Sequence, residues 1–214
     1  MNVPIRRTAV VLAAAAVLPL ALSACSDSSG DSAKSSTSDK ASASGGSMSS
    51  GDVTTADEPF GPACSGVPKT GAGSFDGMAK DPVATAASNN PALSTLVTAV
   101  KKAGLVDTLN NAQGITVFAP TNDAFAKIPK ATLDKVLADK AQLTKILTYH
   151  VVGQALAPKD LTKGSFDTLE KAKLTTSGSG ESYTVNDSAK VVCGNVKTAN
   201  ANVYIIDTVL MPSS

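Results

Sequence analysis

Ile115-Thr-Val-Phe-Ala-Pro-Thr-Asn-Asp-Ala-Phe125 decides how the chain is read. Ile115 to Ala119 is a β-branched and aromatic run bounded by Gly114 and Pro120, the pattern of a strand. Pro120 has no N–H to give to a ladder, so the strand is expected to end there. Thr121 or Asn122 then caps a helical turn by accepting a backbone N–H, and Asp123 favours the positive end of that turn. Phe125 returns to the core. Two readings stay open for this junction. It is a shaped surface loop, or it only positions Phe118 and Phe125.

Two further segments lie downstream. Asn202-Val-Tyr-Ile-Ile-Asp-Thr-Val-Leu-Met-Pro212 is nearly all apolar, as expected of a strand buried on both faces. Asp207 within it is expected to be half-hidden and hydrogen-bonded, because an unpaired buried carboxylate costs several kcal/mol. Tyr149-His150-Val-Val152 lies between the two and contains the chain's single His. An isolated His after Tyr at a helix-to-strand boundary reads as a structural residue, hydrogen-bonded near Pro120 to Asp123.

In this order and spacing, the three segments resemble the signature of the fasciclin domain over roughly residues 60 to 212. Cys64, Val191-Val-Cys-Gly194 and Thr198-Ala-Asn-Ala-Asn202 add to the likeness, which is greatest to single-domain surface antigens of actinobacteria. The resemblance implies an α+β fold, a wedge-shaped β-sandwich with a flanking helical layer. It implies adhesion rather than catalysis. It also makes Thr121, Asn122, Asp123, Tyr149 and His150 candidate adhesion contacts, with a protein or glycan of host, matrix or cell wall as partner.

The coarse reading of the residues agrees with that class. Helices are expected from Asp81-Pro82 as cap and first residue, from Ala92 to Ala103 after Asn90-Pro91, from Leu105 to Asn110, and from Ala131 to Leu147 with a break near Asp139. From Tyr149 the chain turns to β. Strands are expected at 149–152, 164–168, 173–176, 181–185, 190–193, 195–198 and 202–210, with Ser177-Gly-Ser-Gly180 as a hairpin turn. Helices first and strands afterwards argue α+β.

Residues 1–24 read as a leader. Arg6 and Arg7 precede the apolar run Ala9 to Leu22, which is too short to span a bilayer. The ending Leu22-Ser-Ala-Cys25 resembles a bacterial lipobox, making Cys25 the acylated first residue of the mature chain. Two acyl chains hold a protein on a membrane where one is marginal. Residues 25–58 are Ser, Gly, Ala, Asp, Lys and Thr with almost nothing apolar, a composition that cannot offset its own ordering entropy. Such a tether of about 33 residues has a root-mean-square span of roughly 30 Å and extends to about 110 Å. The folded domain is assigned to 59–214. The expected location is the outer face of the cell membrane, with part of the protein shed.

Composition narrows the chemistry. The 19 basic residues include both Arg of the leader, leaving 17 Lys against 18 acidic residues, a net charge of −1. Without Arg no bidentate phosphate fork is available, and the Lys are scattered, which disfavours nucleic acid. With Cys25 lipidated, Cys64 and Cys193 remain, and an exported chain with two Cys pairs them. Two Cys and one His with no C-x-x-C pair do not match zinc spacing. No nucleophile elbow or phosphate loop stands out. No cofactor, metal or catalytic residue is therefore assigned. The alternative function is capture of a lipid or small molecule of the envelope, which requires an apolar cavity between sheet and helices.

Overall fold

Two strands buried on both faces organise the domain. In the computed structural model, which describes residues 58–212, β1 (Ile115–Pro120) and β7 (Ala201–Ile206) pair in parallel, Ile115 beside Ala201 through Pro120 beside Ile206. Successive side chains alternate between faces. Ile115, Val117 and Ala119 with Ala201, Val203 and Ile205 enter one core; Phe118, Tyr204 and Ile206 enter the other. Continuous apolar runs are the consequence.

Among the described residues the remaining strands are β2 (Val151–Val152), β3 (Lys163–Asp167), β4 (Lys173–Ser179), β5 (Ser182–Val185) and β6 (Ala189–Lys197). Their order is β2-β1-β7-β6-β5-β4-β3. β6 carries register shifts between Val191 and Cys193 and between Cys193 and Val196, and Asn195 sits at φ 58°. Such bulges bend a strand and sharpen its twist. The bend brings β5-β4-β3 over β2-β1-β7-β6 around Phe118, Leu161, Leu174, Val185, Tyr204 and Ile206. A bridge from Val152 to Thr168 nearly closes the sandwich.

The helices cover the other face of β1 and β7. They are α1 (Phe75–Met78), α2 (Val83–Ser88), α3 (Ser94–Ala103), α4 (Val106–Asn111), α5 (Asn122–Ala126), α6 (Lys130–Ala138) and α7 (Lys140–Tyr149). In α3, Leu96, Ala99, Val100 and Ala103 form the buried stripe, and Gly104 ends the helix at φ 74°, a left-handed position that suits Gly. Asp139 breaks α6 from α7 and caps the latter, accepting the N–H groups of Ala141 and Gln142 at 2.9 and 3.1 Å. The α+β wedge with a helical layer is the observed fold.

Several local expectations are corrected. Asp81 does not cap α2, which starts at Val83. Its first N–H groups, those of Val83 and Ala84, are accepted by Asn200 Oδ1 at 2.8 Å and Asn110 Oδ1 at 3.0 Å. The buried Asn200 also turns Nδ2 toward the carbonyls of Leu109 at 2.8 Å and Ala112 at 2.6 Å, so one side chain satisfies the end groups of two helices. Tyr149 ends α7 instead of opening a strand. Ser177 to Ser179 belong to β4, and the hairpin turn is Gly180-Glu181, with Ser179 facing Ser182. The segments at 190–193 and 195–198 are one bulged strand. The last strand stops at Ile206: Asp207 still donates its N–H to Lys190 O at 3.1 Å, but it accepts the Lys190 N–H on its carboxylate, and its carbonyl accepts from Lys127. The leader, Cys25 and the tether up to residue 57 lie outside the described residues.

Candidate functional site

The junction after β1 is held by its own side chains. Thr121 donates its N–H to Ile206 O at 3.1 Å and accepts the Ala124 N–H on Oγ1 at 3.2 Å, which caps α5. Asn122 is occupied on both ends. Its Oδ1 accepts the Thr95 N–H at 2.9 Å, and its Nδ2 donates to Pro91 O at 2.9 Å, pinning the start of α3. Asp123 is exposed. Beside this junction is a cleft of about 380 Å³, whose lining includes Ala63, Ser65, Val67, Asn90, Thr121 and Asp123. Asn90 Nδ2 is buried and without a partner. Of the three junction residues named from sequence, Asp123 alone has a side chain both exposed and uncommitted.

Tyr149 and His150 point into opposite cores. Tyr149 is 3% exposed and donates its hydroxyl proton to Lys173 O at 3.0 Å while accepting from Asn186 Nδ2 at 2.8 Å. His150 is 2% exposed. Its Nδ1 lies 2.9 Å from Ile146 O, which only accepts, so Nδ1 carries the proton. Nε2 accepts the Leu210 N–H at 3.0 Å. His150 therefore clips the segment after β7 onto α7. Its ring does not bond the Pro120 to Asp123 junction as expected; only its carbonyl reaches β1, accepting the Phe118 N–H at 2.9 Å. Buried this way, neither side chain reaches a partner, which corrects their assignment as adhesion contacts. Burial lowers the His150 pKa to about 4, against a smaller opposing effect of the Ile146 carbonyl. With both ring nitrogens committed, His150 has no position free for proton transfer to a bound molecule.

The apolar space beside His150 is small. One cavity of about 40 Å³ lies among α2, α3, α4 and β1, and a second of about 20 Å³ among α5, α6, α7 and Val209; His150 and Leu147 line both. Ligand clefts run to roughly 300–1,000 Å³. Neither cavity takes an acyl chain unless the helices part.

Disulfide geometry closes the base of the domain. Cys64, in the short 3-10 turn Pro62–Gly66, joins Cys193 of β6 with an S–S distance of 2.02 Å and a Cα separation of 4.9 Å. Phe60 pairs with Gly194 through two backbone bonds, and its ring packs edge-on to Tyr183 at 5.5 Å. Gly61, at φ 106°, brings the chain so close that a Cβ would meet Val192 O at 2.6 Å.

Three polar positions carry more than their residue types announce. Asn202 Nδ2 donates to Leu156 O at 2.7 Å and to Asn195 Oδ1 at 3.0 Å, and Tyr204 donates to Leu156 O at 2.9 Å. Burial, then the charge of Asp160 and the neighbouring Tyr183, hold the Tyr204 pKa far above the ordinary value, so it stays a donor. Burial alone would raise the Asp207 pKa. The Lys190 N–H, the Thr208 hydroxyl and Lys127 outweigh it and hold the value below the usual carboxylate range. Asn202 lies in the run Thr198-Ala-Asn-Ala-Asn202 that carries part of the family likeness, and Asp207 is half-buried and hydrogen-bonded, as expected of a carboxylate in an apolar run. Among the described residues no group of three His, Cys, Asp or Glu suits a metal ion, and no helix is long and apolar enough to cross a membrane.

The family model for the fasciclin domain matches residues 91–212. The chain is 53% identical over 148 residues to the cell surface glycolipoprotein MPB83 of Mycobacterium bovis, a match covering 67% of this chain and 66% of that protein. The matched stretch thus falls just short of two thirds of that relative's length. Over an equal stretch it is 51% identical to the immunogenic protein MPB70 of Mycobacterium bovis, covering 75% of that protein. Among solved structures, it resembles a FAS1 domain pair from the insect cell adhesion molecule fasciclin I. The TM-score is 0.52 at 21% identity, over 63% of this chain and 52% of that one, a likeness of fold.

Proposed function

We propose that this chain, which belongs to the fasciclin family, is a non-catalytic cell-surface protein, anchored by lipid at Cys25, whose folded head binds a macromolecule. The observation that carries the reading is the conjunction of a fasciclin head with the ending Leu22-Ser-Ala-Cys25 and a polar stretch between them. Relatives named for a cell-surface glycolipoprotein support the location. The family, the committed His150 ring and the dispersed carboxylates support the absence of catalysis. Asp123 and the cleft beside Thr121 and Asn90 are the proposed contact region of the junction. A membrane is engaged through the lipid alone, and the partner is a protein or glycan of host, matrix or cell wall. The lipid-carrying alternative has against it two cavities that together offer about a fifth of the smallest usual ligand volume.

Fractionation of cells tests the anchor. The wild-type protein is expected in the membrane fraction, with a mature mass starting at Cys25 and bearing acyl chains. Cys25→Ala is expected to be released or left unprocessed. An unacylated mature protein that begins elsewhere overturns the anchor.

A further inference from the structure

We propose that the free edge of β3 accepts an extended peptide as an additional strand, with an acidic residue at the end beside Lys159 and Lys163. β3 has a strand neighbour on one side only, β4. The register sets Lys163 opposite Ser177, Ser165 opposite Thr175 and Asp167 opposite Lys173. In an antiparallel ladder, hydrogen-bonded and non-bonded pairs alternate. Two bonds fix the phase here: Gly178 N–H to Thr162 O and Thr168 N–H to Ala172 O, both 3.1 Å. Thr162, Gly164, Phe166 and Thr168 therefore turn their backbone groups toward β4. Lys163, Ser165 and Asp167 turn theirs outward, offering donors and acceptors at strand spacing.

That edge borders a cleft of about 610 Å³ whose lining also includes the wall Gln154, Ala155 and Leu156. The wall is fixed from inside. Buried Thr116 donates its hydroxyl to Gln154 O and accepts the Leu156 N–H, both at 2.8 Å, while Asn202 and Tyr204 hold Leu156 O. It therefore does not close onto β3. At the other end the gap is shut, because Val152 bridges Thr168 and the Leu169 N–H donates to Val151 O at 2.8 Å. A strand of about five residues enters from the Lys163 end, its length set by the closed end.

Charge selects the peptide. The Asp160 carboxylate in the cleft already accepts the Ala157 N–H at 2.8 Å, and Asp167 pairs with Lys173 at 3.1 Å. Among the described residues, Lys159 and Lys163 have no acidic partner. Main-chain bonds supply affinity in strand addition and side chains supply selectivity. This surface shares no residue with the Thr121–Asp123 junction and stands or falls apart from the adhesion reading.

The test is an amide NMR titration of the purified full-length protein with the peptide acetyl-Val-Thr-Val-Thr-Asp. Saturable shifts and slowed exchange are expected at the amides of Lys163, Ser165 and Asp167. Methylation of alternate peptide nitrogens is expected to weaken binding at least about tenfold, and so is Lys163→Glu, which reverses the preference toward a Lys-ended peptide. Ser165→Pro deletes one outward N–H on an edge where Pro is tolerated, and is expected to weaken binding with the β4 pairing intact. No saturable shift at millimolar peptide overturns the proposal. Equal binding of the methylated peptide, or shifts confined to another surface, does the same.

Discussion

Replacing Cys64 and Cys193 together with Ala is expected to lower folding stability by up to about 5 kcal/mol. The bridge spans a sequence separation of 129. On the chain-entropy model a loop of that length constrains the unfolded state by about 5 kcal/mol, with smaller values common in practice. For a domain of this size, that corresponds to a fall in Tm of roughly 10–20 °C. The loss acts on one place in the fold. Besides the bridge, the Phe60–Gly194 pair and the Asn195 Nδ2 bond to Glu58 O at 3.2 Å hold the first described residues to β6, and the Phe60 ring packs on Tyr183 of β5. Cys193 belongs to the helix-side core, but the remaining contacts of both cores on either side of β1 and β7 persist, so the fold is retained. Thermal unfolding of the oxidised, reduced and doubly substituted protein measures this. Equal melting of all three, with both thiols titrating free in exported protein, contradicts it.

Acidification is expected to weaken the domain through His150. The folded value of about 4 lies below the ordinary 6.5 because charging the ring costs burial energy. Protonation also forces Nε2 to give up the Leu210 N–H. The unfolded chain binds the proton first, so the contribution is whole above pH 6.5 and is lost as pH falls toward 4. The gap corresponds to about 3 kcal/mol. His150→Ala leaves the Leu210 N–H unpaired and joins the two neighbouring cavities, at a cost of about 3 kcal/mol or more. The chain has one His, so the difference between wild-type and variant denaturation curves from pH 7 to 4 isolates this group from the carboxylates, Asp207 among them. A constant difference across that range contradicts the assignment.

The architecture was legible where local chemistry is strong. Gly104 and Asp139 ended and began helices by their own conformational preferences, and the Ile115 and Val203 runs announced strands covered on both faces. Legibility failed where a distant residue supplied what a neighbour was expected to supply. Asn200, more than a hundred residues away, caps α2 in place of Asp81. The bulge in β6 merged two expected strands, since the chain passes through Gly194 and the left-handed Asn195 without leaving its partner β7. At the candidate site, the sequence located Tyr149 and His150 but not their direction. The end of α7 turns the first into the sandwich and the second under the helices, and a one-residue difference in where that helix stops decides both. The open edge of β3 was invisible for the same reason: an edge is defined by the strand that is missing beside it.

On the proposed function, the folded head binds a macromolecule at a cell surface. The most direct measurement is adhesion of beads coated with residues 59–214, compared with beads carrying only residues 26–58, to cells, matrix and cell-wall material. The head beads are expected to adhere, through many weak contacts acting together. Heat denaturation of the head is expected to abolish adhesion, and the tether beads are expected not to adhere. Equal adhesion by the tether alone contradicts the account. So does adhesion by neither set, with a lipid found in the mass spectrum of the purified head.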